Sequence, residues 1–395
     1  MILTEQHIIK KSDSRYNELD NLLFLSKNLY NAGLYTTRQY FFENKKFLNY
    51  QSLTSIMIKD NNIDYRRLPA KVSQQTLKLV EQNFKSFFNH LKVKKKNGII
   101  KIPGYLKKDN GKFIVTYTNQ AISKVELKNN IIKLSKVNAT FKTFKTNIQQ
   151  VRIVPKNNTI VIEVLYKVED IESLSNNERY ASIDLGLNNL ATVSSNVIKP
   201  FIVNGKPLKS INQYYNKRVS KLKSKLKNGK KSSSRIKNIT DKRGNKIKDY
   251  LHKASTIIVN QLVSNDINTL VIGNNKQWKQ DINIGKRNNQ NFVQIPHAIF
   301  IQMLEYKCKL KGINIVLTEE SYTSKCSFLD DEEIGRHETY KGKRVKRGLF
   351  KSNKGILINA DLNGSLNILR KVVGNFNYNP IEVCSTPVVI TIKFN

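Results

Sequence analysis

The chain has 395 residues, 39% of them hydrophobic, which allows two or three domains with sizeable cores and excludes a disordered tail. Lys and Arg number 68 against 30 Asp and Glu, a formal charge of +38. Such an excess opposes compaction unless a polyanion neutralises it, so nucleic acid is the leading partner.

In chain order, the opening MILTEQHIIKKSD lacks the apolar core of a signal peptide. No run approaches the roughly 18 apolar residues of a membrane helix, and no membrane partner is expected. A short strand at Ile8-Ile9 starts the chain, within residues 1–13. Helical periodicity follows, with Leu19, Leu22, Leu23, Leu29, Tyr30 and Leu34, then Leu77, Val80, Phe84, Phe87 and Leu91. These predict a helical domain over 14–98. KFIVTYT, NIIKLSKV and QVRIVPKNNTIVIEVLYKV read as strands, the last a hairpin turning at Asn157-Asn158. They give a strand-built unit over 99–177. If the first strand pairs back into it, the N-terminal part is a β-barrel-like unit with the helices inserted.

NNERY, residues 176–180, reads as a linker to a unit over 178–375. ASIDLGLNNLATVSS is a strand, a turn and a returning strand, and FIVNGKPLK supplies a third strand. From Tyr215 to Lys248, 14 of 34 residues are Lys or Arg. RVSKLKSKLKNGKKSSSRIK reads as two helices around a Gly-Ser turn, with KIKDYLHKASTIIVNQLVSN as a further helix. The strand TLVIG follows. The helix IPHAIFIQMLEYKCKLKG, with Pro296 in its first turn and Gly312 at its end, leads to INIVLTEE, read as a buried strand. ADLNGSLNILRKVV begins the last helix, and 376–395 is a tail. The order β-β-β-α-β-α-β-α predicts a mixed α/β sheet of the RNase H kind.

Two-metal phosphodiester hydrolysis needs carboxylates converging from different elements on two Mg²⁺ ions about 3.5–4 Å apart. Hard oxygen donors suit Mg²⁺. Asp184 lies in the first strand of the second unit, beside Gly186, and Asp361 at the start of the last helix, followed by Asn363 and Asn367. Alone, Asp184 also reads as a strand-end turn residue and Asp361 as a helix cap. Glu319 and Glu320 also read as solvated strand-end charges. Asp330, Asp331, Glu332 and Glu333 read as the solvated acidic run of a loop. The five histidines, His7, His90, His252, His297 and His337, have no metal-binding spacing. Cys308, Cys326 and Cys384 are odd in number and scattered, which fits a reducing cytoplasm.

SIDLGLNNLATV, HKASTIIV, YTSKCS and ADLNGSLNIL together resemble the TnpB family, transposon-encoded RNA-guided DNA endonucleases related to type V CRISPR effectors. The resemblance covers nearly the whole chain and is most specific from 180 to 370. It implies a RuvC triad, Mg²⁺ or Mn²⁺ as cofactor, a structured guide RNA (the ωRNA) and target DNA as partners. The first and third triad members fall on Asp184 and Asp361. In most relatives the middle Glu ends the strand aligned with TLVIG, where this chain has Gly273. Some relatives, and their eukaryotic Fanzor counterparts, carry a displaced Glu shortly before YTSK. Glu320 is the best match, with Glu319 second because alternation points the pair to opposite faces. The family's Cys₄ zinc site falls on Cys326, Leu329, Lys351 and Lys354, so a degenerate hairpin over 322–358 without structural zinc is expected.

The basic segment, with Lys217, Arg218, Lys221 and Lys225, suits guide–target phosphates, or is a solvated helical face. WKQDINIGKRNNQNF offers Trp278, Lys279, Lys286 and Arg287 to a single strand, or is a plain loop. Two other functions stay open: a guided DNA-binding repressor without cleavage, and a general RNA-binding protein with a vestigial nuclease fold.

Overall fold

The computed structural model describes residues 1–92, 100–227, 229–274 and 295–394, and forms two compact units, Met1–Glu169 and Asp170–Asn395. The first unit starts with strand β1 (Ile2–Lys10), then helices α1 (Tyr16–Asn44), α2 (Tyr50–Lys59), α3 (Ile63–Arg66) and α4 (Ala70–Lys92). Strand β2 (Val115–Thr118), helix α5 (Lys124–Lys128) and strands β3 (Ile131–Lys133), β4 (Thr140–Lys142), β5 (Ile148–Pro155) and β6 (Thr159–Lys167) complete it. β1 pairs antiparallel with β6, with Ile9 opposite Ile160. The helices therefore interrupt a sheet ordered β1-β6-β5-β2, while β3 and β4 form a separate ribbon. Leu19, Leu23, Leu77, Val80 and Phe84 are buried in one core with Val115, Tyr117 and Val151 of that sheet.

The second unit holds β7 (Tyr180–Leu185), β8 (Asn189–Ser195), β9 (Phe201–Asn204), α6 (Lys206–Lys223), α7 (Ser234–Ser264) and β10 (Thr269–Gly273). Then come α8 (His297–Lys309), β11 (Asn314–Thr318), β12 (Lys343–Lys346), β13 (Leu349–Lys351), β14 (Leu357–Asn359), α9 (Ala360–Val373), α10 (Pro380–Cys384) and β15 (Val388–Ile390). The main sheet is ordered β11-β10-β7-β8-β9-β15. β7, β8 and β9 pair antiparallel, whereas β10 runs parallel to both β7 and β11. β12, β13 and β14 form a small antiparallel sheet of their own.

Residues 376–395 are not a bare tail: they supply α10 and β15, and β15 joins the main sheet by pairing parallel with β9. Two further expectations are corrected. The second basic helix and the apolar helix after it are one helix, α7, capped by the Ser233 hydroxyl accepting from Ile236 N–H. A single interior glycine, Gly244, costs about 1 kcal/mol. Ile247, Tyr250, Leu251, Ala254, Ile258 and Leu262 are buried along that helix and outweigh it. The second correction concerns β11, which is not a buried strand. It is the sheet's edge, partly exposed along its length, with Leu317 46% exposed. Among the described residues no helix is long and apolar enough to cross a membrane.

Candidate active site

Alternation along β7 sends Ala181, Ile183 and Leu185 into the main core and turns Ser182 and Asp184 to the opposite face. Helix α9 lies against that face. Small residues allow the approach. Ser182 Oγ donates to Ser365 O at 2.7 Å, and Ser194 Oγ lies 2.9 Å from Ser365 Oγ. Gly364 faces the first aspartate: a Cβ there would sit 3.0 Å from Asp184 Oδ2.

Asp361 is held in the first turn of α9. The Asn359 side chain caps the helix by accepting from Asp361 N–H and Leu362 N–H at 3.0 and 3.1 Å. Asn189 Nδ2 donates to Asp361 Oδ2 at 2.7 Å, and Arg344 reaches Asp361 Oδ1 from β12 at 3.3 Å. Nothing in the sequence singles out Arg344. No motif marks it, and only the fold of the small sheet carries it back to α9.

Glu320 leaves the end of β11 and lies over Gly273. A Cβ at Gly273 would meet Glu320 Oε1 at 2.5 Å, Glu320 Cγ at 2.6 Å and Ile368 Cδ1 at 2.7 Å. The turn behind Glu320 is pinned at several points. Thr323 Oγ1 donates to Glu320 O at 2.8 Å, and Asn367 Nδ2 donates to Thr323 O at 2.9 Å and Cys326 O at 2.7 Å. Asn363 donates to Cys326 O at 2.9 Å and accepts from Phe328 N–H. The two buried asparagines, one helical turn apart on α9, thus hold the turn that carries Glu320. Glu319 is exposed and accepts from Ser321 Oγ, while its backbone carbonyl takes Lys371 Nζ.

The electrostatics follow from this convergence. Asp184 is pushed well above the usual carboxylate range, first by burial, then by the charges of Glu320 and Asp361, with Arg344 pulling the other way. Burial raises Glu320 from 4.5 to about 7. Among the described residues no three His, Cys, Asp or Glu side chains close into a ready cage for an ion. Still, the donor set is hard oxygen, and its mutual repulsion is what a divalent cation relieves, so the residues fit a Mg²⁺-type ion.

A pH dependence follows for the metal-free protein. Between 4.5 and about 7 the folded protein holds the Glu320 proton more tightly than the unfolded chain. The cost of the buried charge is therefore absent at low pH, grows as pH rises and is complete above about 7. It is on the order of 3 kcal/mol before solvent screening. In chelator, Glu320→Gln should melt about 4 °C or more above the parent at pH 8 and together with it at pH 4.5. Parallel melting curves across that range would remove Glu320 as the titrating group.

The acidic run after Cys326 is corrected too. Glu332 is buried, not solvated, and its carboxylate accepts from Ser327 N–H at 2.7 Å and Lys341 N–H at 2.8 Å. Asp330 Oδ2 accepts from Ser327 Oγ and Asn353 N–H at 2.6 and 2.7 Å. These bonds tie the hairpin where Cys326 is buried, Leu329 is partly buried, and Lys351 and Lys354 point to solvent. Lys217 and Lys221 are exposed on α6, Arg218 is partly buried there, and Lys225 is exposed just beyond it. Trp278, Lys279, Lys286 and Arg287 lie outside the described residues.

Two family models match. Residues 163–279 match OrfB_IS605, a probable transposase, and 297–368 match the Cas12f1-like TNB domain. Over 208 residues the chain is 26% identical to the TnpB-like protein ORF457 of Acidianus two-tailed virus, a match covering 50% of this chain and 42% of that protein. The match therefore spans less than half the length of that relative. A Cas12f1–sgRNA–target DNA complex superposes with a TM-score of 0.39 and 17% identity, covering 93% of this chain and 98% of the other. C2c1 of Alicyclobacillus acidoterrestris with single-guide RNA gives 0.40 and 9%, covering 92% and 70%.

Proposed function

We propose that the chain is a member of the TnpB family and an RNA-guided DNA endonuclease whose metal is held by Asp184, Glu320 and Asp361. One observation carries this reading: the Glu320 side chain fills the space that Gly273 leaves open, on the strand beside Asp184. The strand order, three antiparallel strands followed by two parallel ones on the β7 side, supports an RNase H-like nuclease unit. The interrupted sheet of the first unit supports a barrel-like wedge carrying a helical recognition part.

A bound divalent ion would polarise the phosphate and activate water in this reading. The chain's own groups do the rest. Asn189 and the helix cap orient Asp361. Asn363 and Asn367 fix the turn behind Glu320. Arg344 supplies a positive charge beside Asp361, which a metal and a phosphate would share. The guide RNA pairs with the target strand, and the protein holds the phosphates through exposed lysines such as Lys217, Lys221 and Lys225.

The test is to incubate purified protein, its native flanking RNA and a matched DNA target with Mg²⁺. Guided cleavage is expected. Guided binding with no product in Mg²⁺ or Mn²⁺ would transfer the conclusion to a repressor, the second reading, which Gly273 favours. Binding of RNA without guided DNA binding would leave a vestigial fold.

Affinity should also fall steeply with salt, because each neutralised phosphate releases counterions. A protein making six to ten phosphate contacts loses about 10³–10⁵-fold between 50 and 200 mM. A flat salt titration would contradict a phosphate-held partner. No structural zinc is needed in this reading, since Glu332 and Asp330 tie the hairpin. Chelator should shift the melting temperature by less than about 2 °C, and stoichiometric zinc by elemental analysis would overturn that.

A further inference from the structure

Helix α1 carries a stripe of side chains that the core of its unit does not absorb. Asn31, Tyr35, Arg38 and Phe42 follow at intervals of four, three and four residues, which places them on one face. Asn31 grips the segment after residue 100: its Nδ2 donates to Leu106 O and its Oδ1 accepts from Leu106 N–H, both at 2.9 Å. This reciprocal pair sets Tyr105 beside the helix, with the Arg38 guanidinium carbon 4.9 Å from the Tyr105 ring centre and 5.9 Å from that of Phe42.

The three rings stay open to solvent: Tyr35 is 57%, Phe42 50% and Tyr105 49% exposed. Arg38 Nε is buried without a hydrogen-bond partner, so aromatic faces flank the guanidinium. Exposed Lys45, Lys46, Lys107 and Lys108 lie close in sequence, against Glu43 and Asp109. A second copy of a chain at +38 is repelled from such a patch. A flexible polyanion with flat, apolar bases suits it, because bases stack on aromatic rings and guanidinium planes while lysines take the phosphates.

We propose that Tyr35, Arg38, Phe42 and Tyr105 form a stacking platform for unpaired nucleobases of the bound nucleic acid. The inference rests on the nucleic-acid partner of the function above and not on cleavage. The reciprocal Asn31–Leu106 bonds preorganise the platform, so little ordering is left for the moment of binding.

Full-length protein is titrated at fixed salt with oligouridine, oligothymidine and a duplex of the same length. Tyr105→Leu and Phe42→Leu retain an apolar side chain and lose the ring. Each should weaken single-strand binding about 5- to 150-fold, the effect of losing one base–aromatic stack. Duplex affinity should stay within about twofold. Tyr105→Phe keeps the ring and should bind like the parent, and photo-crosslinking of 5-iodouracil probes should map to Tyr105 or Phe42. A larger loss for oligouridine assigns the base to RNA, a larger loss for oligothymidine to DNA, and either supports the platform. Equal losses on duplex and single strands would overturn it, as would unchanged binding by both leucine variants. A parent that sediments as a dimer, dissociated by the variants, would make the patch a protein interface instead. Should guided cleavage fail while these losses hold, the proposed nuclease falls and the platform stands.

Discussion

Glu320→Gln should lower guided cleavage about 10²–10³-fold, the size of loss seen when one preorganised electrostatic group is removed from a reacting centre. Guided DNA binding should change less than about twofold. Glutamine keeps the length and shape of the side chain that lies over Gly273 and removes only its charge. In the proposed site the charge is what a metal would require. Burial raises Glu320 to about 7, so the carboxylate is ready to stay protonated until a cation draws the proton off. Asp184 and Asp361 alone leave a divalent ion short of hard donors. Glu319→Gln is the matched control. Glu319 is exposed and hydrogen-bonded to Ser321, so its loss should cost less than about threefold. Cleavage by Glu320→Gln at the parental rate would remove Glu320 from the site.

The elements of the second unit are legible because periodicity marks them: two-residue alternation in ASIDL, and three-to-four spacing in the helices that cover the sheet. The carboxylates were legible for another reason. Each sits at the end of a strand or the start of a helix, where a short motif fixes its place. What the sequence hid depends on long-range return of the chain. Glu332 reads as solvated until Ser327 and Lys341 are seen to bring their N–H groups to it. Arg344 lies 17 residues before Asp361, and only the β12–β13–β14 pairing closes that gap. β11 looks as apolar as a central strand, yet its place at the edge is set by which strands pair, not by its composition.

Gly273→Ala should reduce cleavage about tenfold or more while costing about 1–3 kcal/mol of stability, the usual range for overpacking. The added methyl would sit 2.5 Å from Glu320 Oε1, 2.6 Å from Glu320 Cγ and 2.7 Å from Ile368 Cδ1. Ile368 Cδ1 ends a flexible side chain and can turn aside. Glu320 cannot move as cheaply, since Thr323 and Asn367 pin the backbone behind it. Its carboxylate must therefore rotate away from the strand, and a misplacement near 1 Å at a reacting centre costs up to about 10²-fold. The protein should remain folded at the assay temperature, so a loss of cleavage by folded Gly273→Ala separates this substitution from a general loss of packing. Gly273→Glu with Glu320→Gly moves the carboxylate onto the end of β10, the strand beside Asp184. The pair should recover part of the activity that Gly273→Ala loses, because the charge again stands beside Asp184. Full activity in Gly273→Ala would mean that the Glu320 carboxylate does its work elsewhere, or none at all.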